Sequence, residues 1–126
     1  MTQAVGTFTV LLHPVEGKPA GLGRFELDKV FEGDLTGISH GVMLTAGDPS
    51  TGSAGYVVIE VVDASIDQRR GQFALQHSGL MRGGTAELGI VVVPGSGTGD
   101  LVGIEGTFLL EITDGVHHYV LDYQLP

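Results

Sequence analysis

A chain of 126 residues with 42% hydrophobic content is long enough to bury one core and too short for two. Six basic against fifteen acidic residues give a formal charge of −9, which repels nucleic-acid backbones and anionic lipid surfaces, so neither is expected as a partner. The absence of cysteine excludes disulfides, thiolate metal sites and cysteine nucleophiles; with no leader-like N-terminus and no run near the ~18 apolar residues of a membrane helix, a cytoplasmic, non-membrane protein is expected.

No window holds apolar residues at helical spacing for long, whereas alternating and β-branched runs recur between turn signals. The pattern predicts eight strands, at 5–13, 22–32, 35–46, 54–64, 69–78, 84–93, 101–113 and 116–125. The first carries Gly6-Thr7-Phe8 and ends near His13, before a turn at Gly17-Lys18-Pro19-Ala20-Gly21. The second opens on Gly23-Arg24-Phe25 and includes Lys29, whose stem can lie on apolar surface with its head in water. On the third, His40 is in phase with Ile38, Val42 and Leu44; the turn Gly47-Asp48-Pro49-Ser50-Thr51-Gly52 follows.

The fourth strand, Tyr56 to Val62, is apolar on both faces, and Glu60 shares a face with Tyr56, Val58 and Val62. A carboxylate there either finds a partner or titrates upward and becomes a usable acid or base. On the fifth, opened by Gly71-Gln72-Phe73, His77 shares a face with Phe73 and Leu75. The sixth, Leu88 to Val93, is again apolar on both faces, so a loop or a second subunit must cover these two strands, and a homo-oligomer is expected.

The loop Val93-Pro94-Gly95-Ser96-Gly97-Thr98-Gly99 has neither the lysine of a phosphate-binding loop nor a following helix, and Ser96 lacks nucleophile-elbow spacing, so it reads as a glycine-rich connection. Gly106-Thr107-Phe108 marks the seventh strand, and the eighth sets His117, Tyr119, Leu121 and Tyr123 on one face, either as a core stripe or as hydroxyl donors in an apolar lining. Adjacent His117 and His118 point to opposite faces of a strand, and nothing in the spacing of His77, Glu60 and that pair predicts a metal site.

Short turns imply antiparallel neighbours, and closing such a meander removes its exposed edges, so the fold class is an all-β, eight-stranded antiparallel up-and-down β-barrel. Gly-x-Phe occurs four times, each glycine permitting a bend and each aromatic filling the interior. Gly-Asp-Leu-x-Gly-Ile occurs twice, at 33–38 and 99–104.

Phe31 to Gly37, Tyr56 to Glu60, Arg69 to Gly79, Val92 to Gly103 and His117-x-Tyr119-x-Leu121-Asp122-Tyr123 together resemble a mainly bacterial family of small proteins, domain-of-unknown-function family 3224, over nearly the whole chain. The Val-Val-Pro-Gly-Ser-Gly-Thr-Gly and Gln-His-Ser-Gly stretches carry most of the resemblance. It implies a barrel like that of plant allene oxide cyclase, related to dirigent proteins, in which a flexible apolar substrate is oriented without a cofactor. His13 stands where that family tends to carry tryptophan, and Ala64 and Gln68 stand where glycines are usual, which makes the pocket more polar if His13 lines its mouth.

These readings converge on a barrel binding a small, largely apolar molecule in its interior, as a cofactor-independent cyclase or isomerase. Glu60 and His77 are then the proton-transfer candidates, and His13, His40, Tyr56, Tyr119 and Tyr123 the ligand contacts. The alternatives are a non-catalytic carrier with the same pocket and a structural barrel filled by its own side chains.

Overall fold

The structure is a computed structural model that describes residues 2–16 and 20–126. Eight strands, β1 (Thr2–Pro14), β2 (Gly23–Gly33), β3 (Leu35–Asp48), β4 (Ser53–Ile66), β5 (Arg69–Arg82), β6 (Thr85–Val92), β7 (Glu105–Thr113) and β8 (Val116–Gln124), pair antiparallel in chain order, and β8 closes onto β1. The expected up-and-down barrel is therefore the observed one. The first predicted turn, Gly17 to Gly21, lies partly outside the described residues.

Period-two alternation decides which side chains fill the barrel. Phe8, Phe31, Phe73, Phe108 and Tyr119 point inward and are buried; Phe31 and Tyr119 meet edge-on at 5.9 Å between ring centres, and Phe108 stacks on Tyr119 at 5.5 Å. Three of the four Gly-x-Phe aromatics thus sit in the core, and the fourth, Phe25, is half-buried near one end. The centre and one end of the barrel are solid.

That closed end corrects the seventh strand. The predicted start at Leu101 is instead a 3₁₀ turn, Gly99–Leu101, and β7 begins at Glu105. Leu101 and Ile104 are fully buried, so the segment plugs the barrel rather than extending its wall. β6 and β7 share one register pair, Val91 with Thr107, and the glycine-rich loop fills the seam. Ser96 Oγ accepts from Ala74 N–H at 2.9 Å and donates to Val93 C=O at 2.7 Å, while Thr98 Oγ1 accepts from Gln72 N–H at 3.0 Å. The glycine-rich stretch from Val93 to Gly99 thus forms a side-chain ladder along β5.

The repeated Gly-Asp-Leu-x-Gly-Ile is also structural. Gly33 and Gly99 both have positive φ, the carboxylates of Asp34 and Asp100 accept the backbone N–H of Val5 and Arg70, and Leu35 and Leu101 are buried. The echo ends at its last residue, since Ile104 is buried and Ile38 is exposed. Outside, Val57, Ile59 and Val61 of β4 stay about half exposed, so no described loop covers the strand that is apolar on both faces.

Candidate functional site

Beyond the aromatic core, three ionisable side chains meet inside the barrel. Lys29 follows Leu27 and precedes Phe31 on the inward phase of β2, Glu60 lies between Val58 and Val62 on β4, and His77 follows Leu75 on β5. Lys29 Nζ donates to both Glu60 oxygens, at 2.8 and 3.2 Å, and Ser39 Oγ donates to Oε1 at 3.4 Å. His77 Nε2 approaches Glu60 Oε2 to 3.2 Å without hydrogen-bond alignment, which leaves that nitrogen buried and unbonded. The Lys29 ammonium also stands 4.8 Å from the centre of the Phe8 ring.

Of the two fates open to Glu60, it takes the first and finds a partner. Burial pushes its carboxyl up, but the adjacent His77 imidazole and the charge and hydrogen bonds of Lys29 outweigh burial, and the group ends below the ordinary carboxylate value. Lys29 does not snorkel: it is 6% exposed and turned inward. Its place was legible in the phase of Phe25, Leu27 and Phe31, which puts it on the buried face.

Above this layer the barrel opens into a cavity of about 430 Å³, walled by β2 to β6 at the end opposite the plug. Phe25, Met43, Tyr56, Met81 and Leu88 give it an apolar lining, with Thr45 and Glu87 as its polar margin. The lining stops at Met43, Tyr56 and Gly79. His77 is the next inward position below Gly79, while Val58 separates Tyr56 from Glu60 along β4. Tyr56 and Gly79 are register partners, and a β-carbon on Gly79 would fall inside the Tyr56 ring, so the ring lies flat across the neighbouring strand. Burial pushes the Tyr56 phenol above its usual pKa, and its hydroxyl makes no hydrogen bond to another described residue.

The remaining expected contacts lie elsewhere. His13 and His40 point to the outer wall, where both ring nitrogens facing Asp28 contact its carboxylate, His13 at 3.1 Å. The hydrogen bond from His40, opposed by slight desolvation and reinforced by His13, holds Asp28 below the usual carboxylate range. Alternation decides this, since inward positions on β1 and β3 are even and odd respectively. His13 therefore does not line the mouth.

Tyr119 is inward but its hydroxyl is used by the fold: it accepts from Leu35 N–H at 3.0 Å and lies 2.9 Å from Glu32 C=O and 3.0 Å from Leu35 C=O. Tyr123 sits at the closed end beside a smaller polar hollow of about 230 Å³ bordered by Asp34 and Asp67. Among the described residues no three His, Asp or Glu side chains are placed to share a metal ion. Phe25, Met43, Met81 and Leu88 escaped the sequence reading because apolar inward residues look alike whether they face a core or a cavity.

Residues 4–123 match the family described as "Protein of unknown function (DUF3224)". The chain belongs to the DUF3224 family. A crystal structure of a DUF3224 protein of unknown function from Shewanella oneidensis MR-1 is 42% identical, with a TM-score of 0.93 over all of this chain and 98% of that one. No curated protein matches. The fold of this DUF3224 member is thus shared along its whole length.

Proposed function

We propose that this barrel binds a small, largely apolar molecule at its open end. The observation that carries the reading is the cavity of about 430 Å³ between Phe25, Met43, Tyr56, Met81 and Leu88, which falls within the ~300–1,000 Å³ of small-molecule sites. Its apolar walls supply the affinity. The buried Lys29–Glu60 pair beneath is internally neutralised and adds no net charge to the floor.

Two uses of such a site differ in His77. In a carrier the bound molecule stays above Gly79 and nothing is transformed. In a cofactor-independent isomerase or cyclase, the His77 imidazole would exchange a proton with a molecule reaching past Tyr56. The carrier is favoured by the pairing of Glu60 with Lys29, which weakens the carboxylate as a base.

Titration with 1-aminoanthracene, an uncharged dye whose fluorescence rises in apolar surroundings, tests the binding reading. Saturable enhancement that Ala54→Phe abolishes, by filling the mouth from β4, is the expected result. An equal signal from wild type and variant would place the dye elsewhere and defeat the proposal. Turnover is tested separately, by incubating bound unsaturated ketones in D₂O: deuterium uptake lost in His77→Gln supports the catalytic use, and none supports the carrier.

A further inference from the structure

Resting on that reading, we propose that the cavity selects an uncharged molecule bearing an oxygen acceptor, such as a ketone, ester or ether, and rejects carboxylates. Tyr56 is the reason for the oxygen. Its ring is fixed against Gly79, its phenol remains protonated well above neutral pH because it is half-buried, and its hydroxyl is unclaimed by the fold, so a donor is held ready in an otherwise apolar chamber. Covered by a pure hydrocarbon, that donor would be left without an acceptor, which disfavours such a ligand.

Charge selection comes from Glu87. It is the one carboxylate among the residues bordering the cavity, and it belongs to a chain carrying a formal −9, so a carboxylate would meet like charge at the entrance and find no cation within. Lys29 cannot serve, because both Glu60 oxygens already hold it. Size is limited by the volume: at roughly 30 Å³ per water-sized group, 430 Å³ accommodates about fourteen non-hydrogen atoms.

Three compounds of equal heavy-atom count separate the contributions: 2-acetylnaphthalene, 2-isopropylnaphthalene and 2-naphthoate, each measured by displacement of 1-aminoanthracene at pH 7. The ketone should bind most tightly. Tyr56→Phe, which keeps the ring over Gly79, should weaken the ketone about fivefold, the span of one hydrogen bond, without weakening the hydrocarbon. Glu87→Gln should strengthen naphthoate severalfold without altering the ketone. Equal losses for ketone and hydrocarbon in Tyr56→Phe, or naphthoate matching the ketone on wild type, would overturn the inference while leaving binding intact. Failure of all three to displace the dye would remove the underlying reading as well.

A separate observation concerns the outer wall of β3 and β4. Ile38, Val42, Leu44, Val57, Ile59 and Val61 face outward, each 37–51% exposed, and His40, Val42 and Leu44 pair with Val61, Ile59 and Val57 to form one continuous surface. With Val30 and Leu80 on the flanking strands, the exposed apolar area is roughly 350 Å². A standard interface at its lower limit buries about 600 Å² per partner, some two-thirds of it apolar in homodimers, so this wall supplies most of the apolar area of one.

We infer that a second copy of this chain occupies it. Apart from Asp48 and Asp63 near its two ends, the facing rows of β3 and β4 carry no acid or base other than His40, so the middle of the wall brings no like charges together between two copies of a −9 chain. Sedimentation velocity across a dilution series should show a reversible dimer that Ile59→Lys converts to monomer, with circular dichroism confirming the barrel. A wild-type monomer at every concentration, or a dimer undisturbed by Ile59→Lys, would overturn this.

Discussion

Lys29 Nζ and Glu60 Oε2 are 2.8 Å apart inside the barrel, with the lysine 6% exposed and the glutamate not at all. Removing one partner strands the other charge away from water, whereas removing both leaves no stranded member of the pair in the layer shared by Leu27, Ser39, Val58, Leu75 and His77. Glu60→Leu is therefore expected to destabilise by about 3–5 kcal/mol, and Lys29→Met combined with Glu60→Leu to recover most of that loss. Urea denaturation of the two single variants and the double variant checks it; a double variant as unstable as the sum of the singles would contradict the pairing.

The same pair makes stability pH-dependent in a defined direction. Glu60 binds its proton less readily in the fold than in the unfolded chain, where it titrates near 4.5. As pH falls through 4.5 the unfolded state takes up the proton first, so the contribution is fully present above that pH, declines below it, and is gone once the folded carboxyl is protonated too. Urea midpoints between pH 7 and pH 3 should fall more steeply for wild type than for Lys29→Met/Glu60→Leu. Parallel curves would show that Glu60 does not carry the acid sensitivity.

The barrel was legible because turn chemistry and alternation are local signals, and eight alternating runs joined by short turns leave few other ways to hide the edges. The start of β7 was not, because Leu101 and Ile104 read as strand residues although they are buried by folding back over the barrel end. Glu60 and His77 could be singled out as polar residues on apolar faces, and both do point inward. Their partner Lys29 stood on such a face too, but its long stem admits an innocent reading. His13 and His40 misled because the outer wall is itself apolar, so being in phase with Ile38, Val42 and Leu44 did not mean facing the interior.

Their outward position has a direct test. His13 and His40 flank Asp28 on a surface where both imidazoles are more than half exposed, and exposed ion pairs contribute little. His13→Ala with His40→Ala should leave both the urea midpoint and 1-aminoanthracene binding unchanged. A loss of dye binding would mean that the mouth extends to β1, against the alternation described above.

Tyr119 should behave as a strut. Its hydroxyl is the acceptor for the buried Leu35 N–H where the chain passes from β2 to β3, so Tyr119→Phe leaves that donor without a partner while preserving the stacking on Phe108. The expected cost is about 1–3 kcal/mol in urea denaturation, with ligand binding unaltered. A variant that binds normally but is no less stable would require the Leu35 amide to find another acceptor.

Gly79 is where fold and site meet. Because its missing side chain is the space the Tyr56 ring occupies, Gly79→Ala must move that ring, while the backbone at 79 is ordinary strand and tolerates alanine. The displaced phenol can swing only toward the cavity or away from its wall, and either motion relocates the donor relative to Met43 and Leu88. Gly79→Ala is therefore expected to lower affinity for an uncharged ketone by at least as much as Tyr56→Phe, with a stability loss of about 1–3 kcal/mol from overpacking. Combining Tyr56→Ala with Gly79→Ala should relieve the overpacking without restoring ketone selectivity, since space returns and the hydroxyl does not. Restored selectivity in that double variant would assign the donor to another residue, Thr45 being the nearest candidate in the lining.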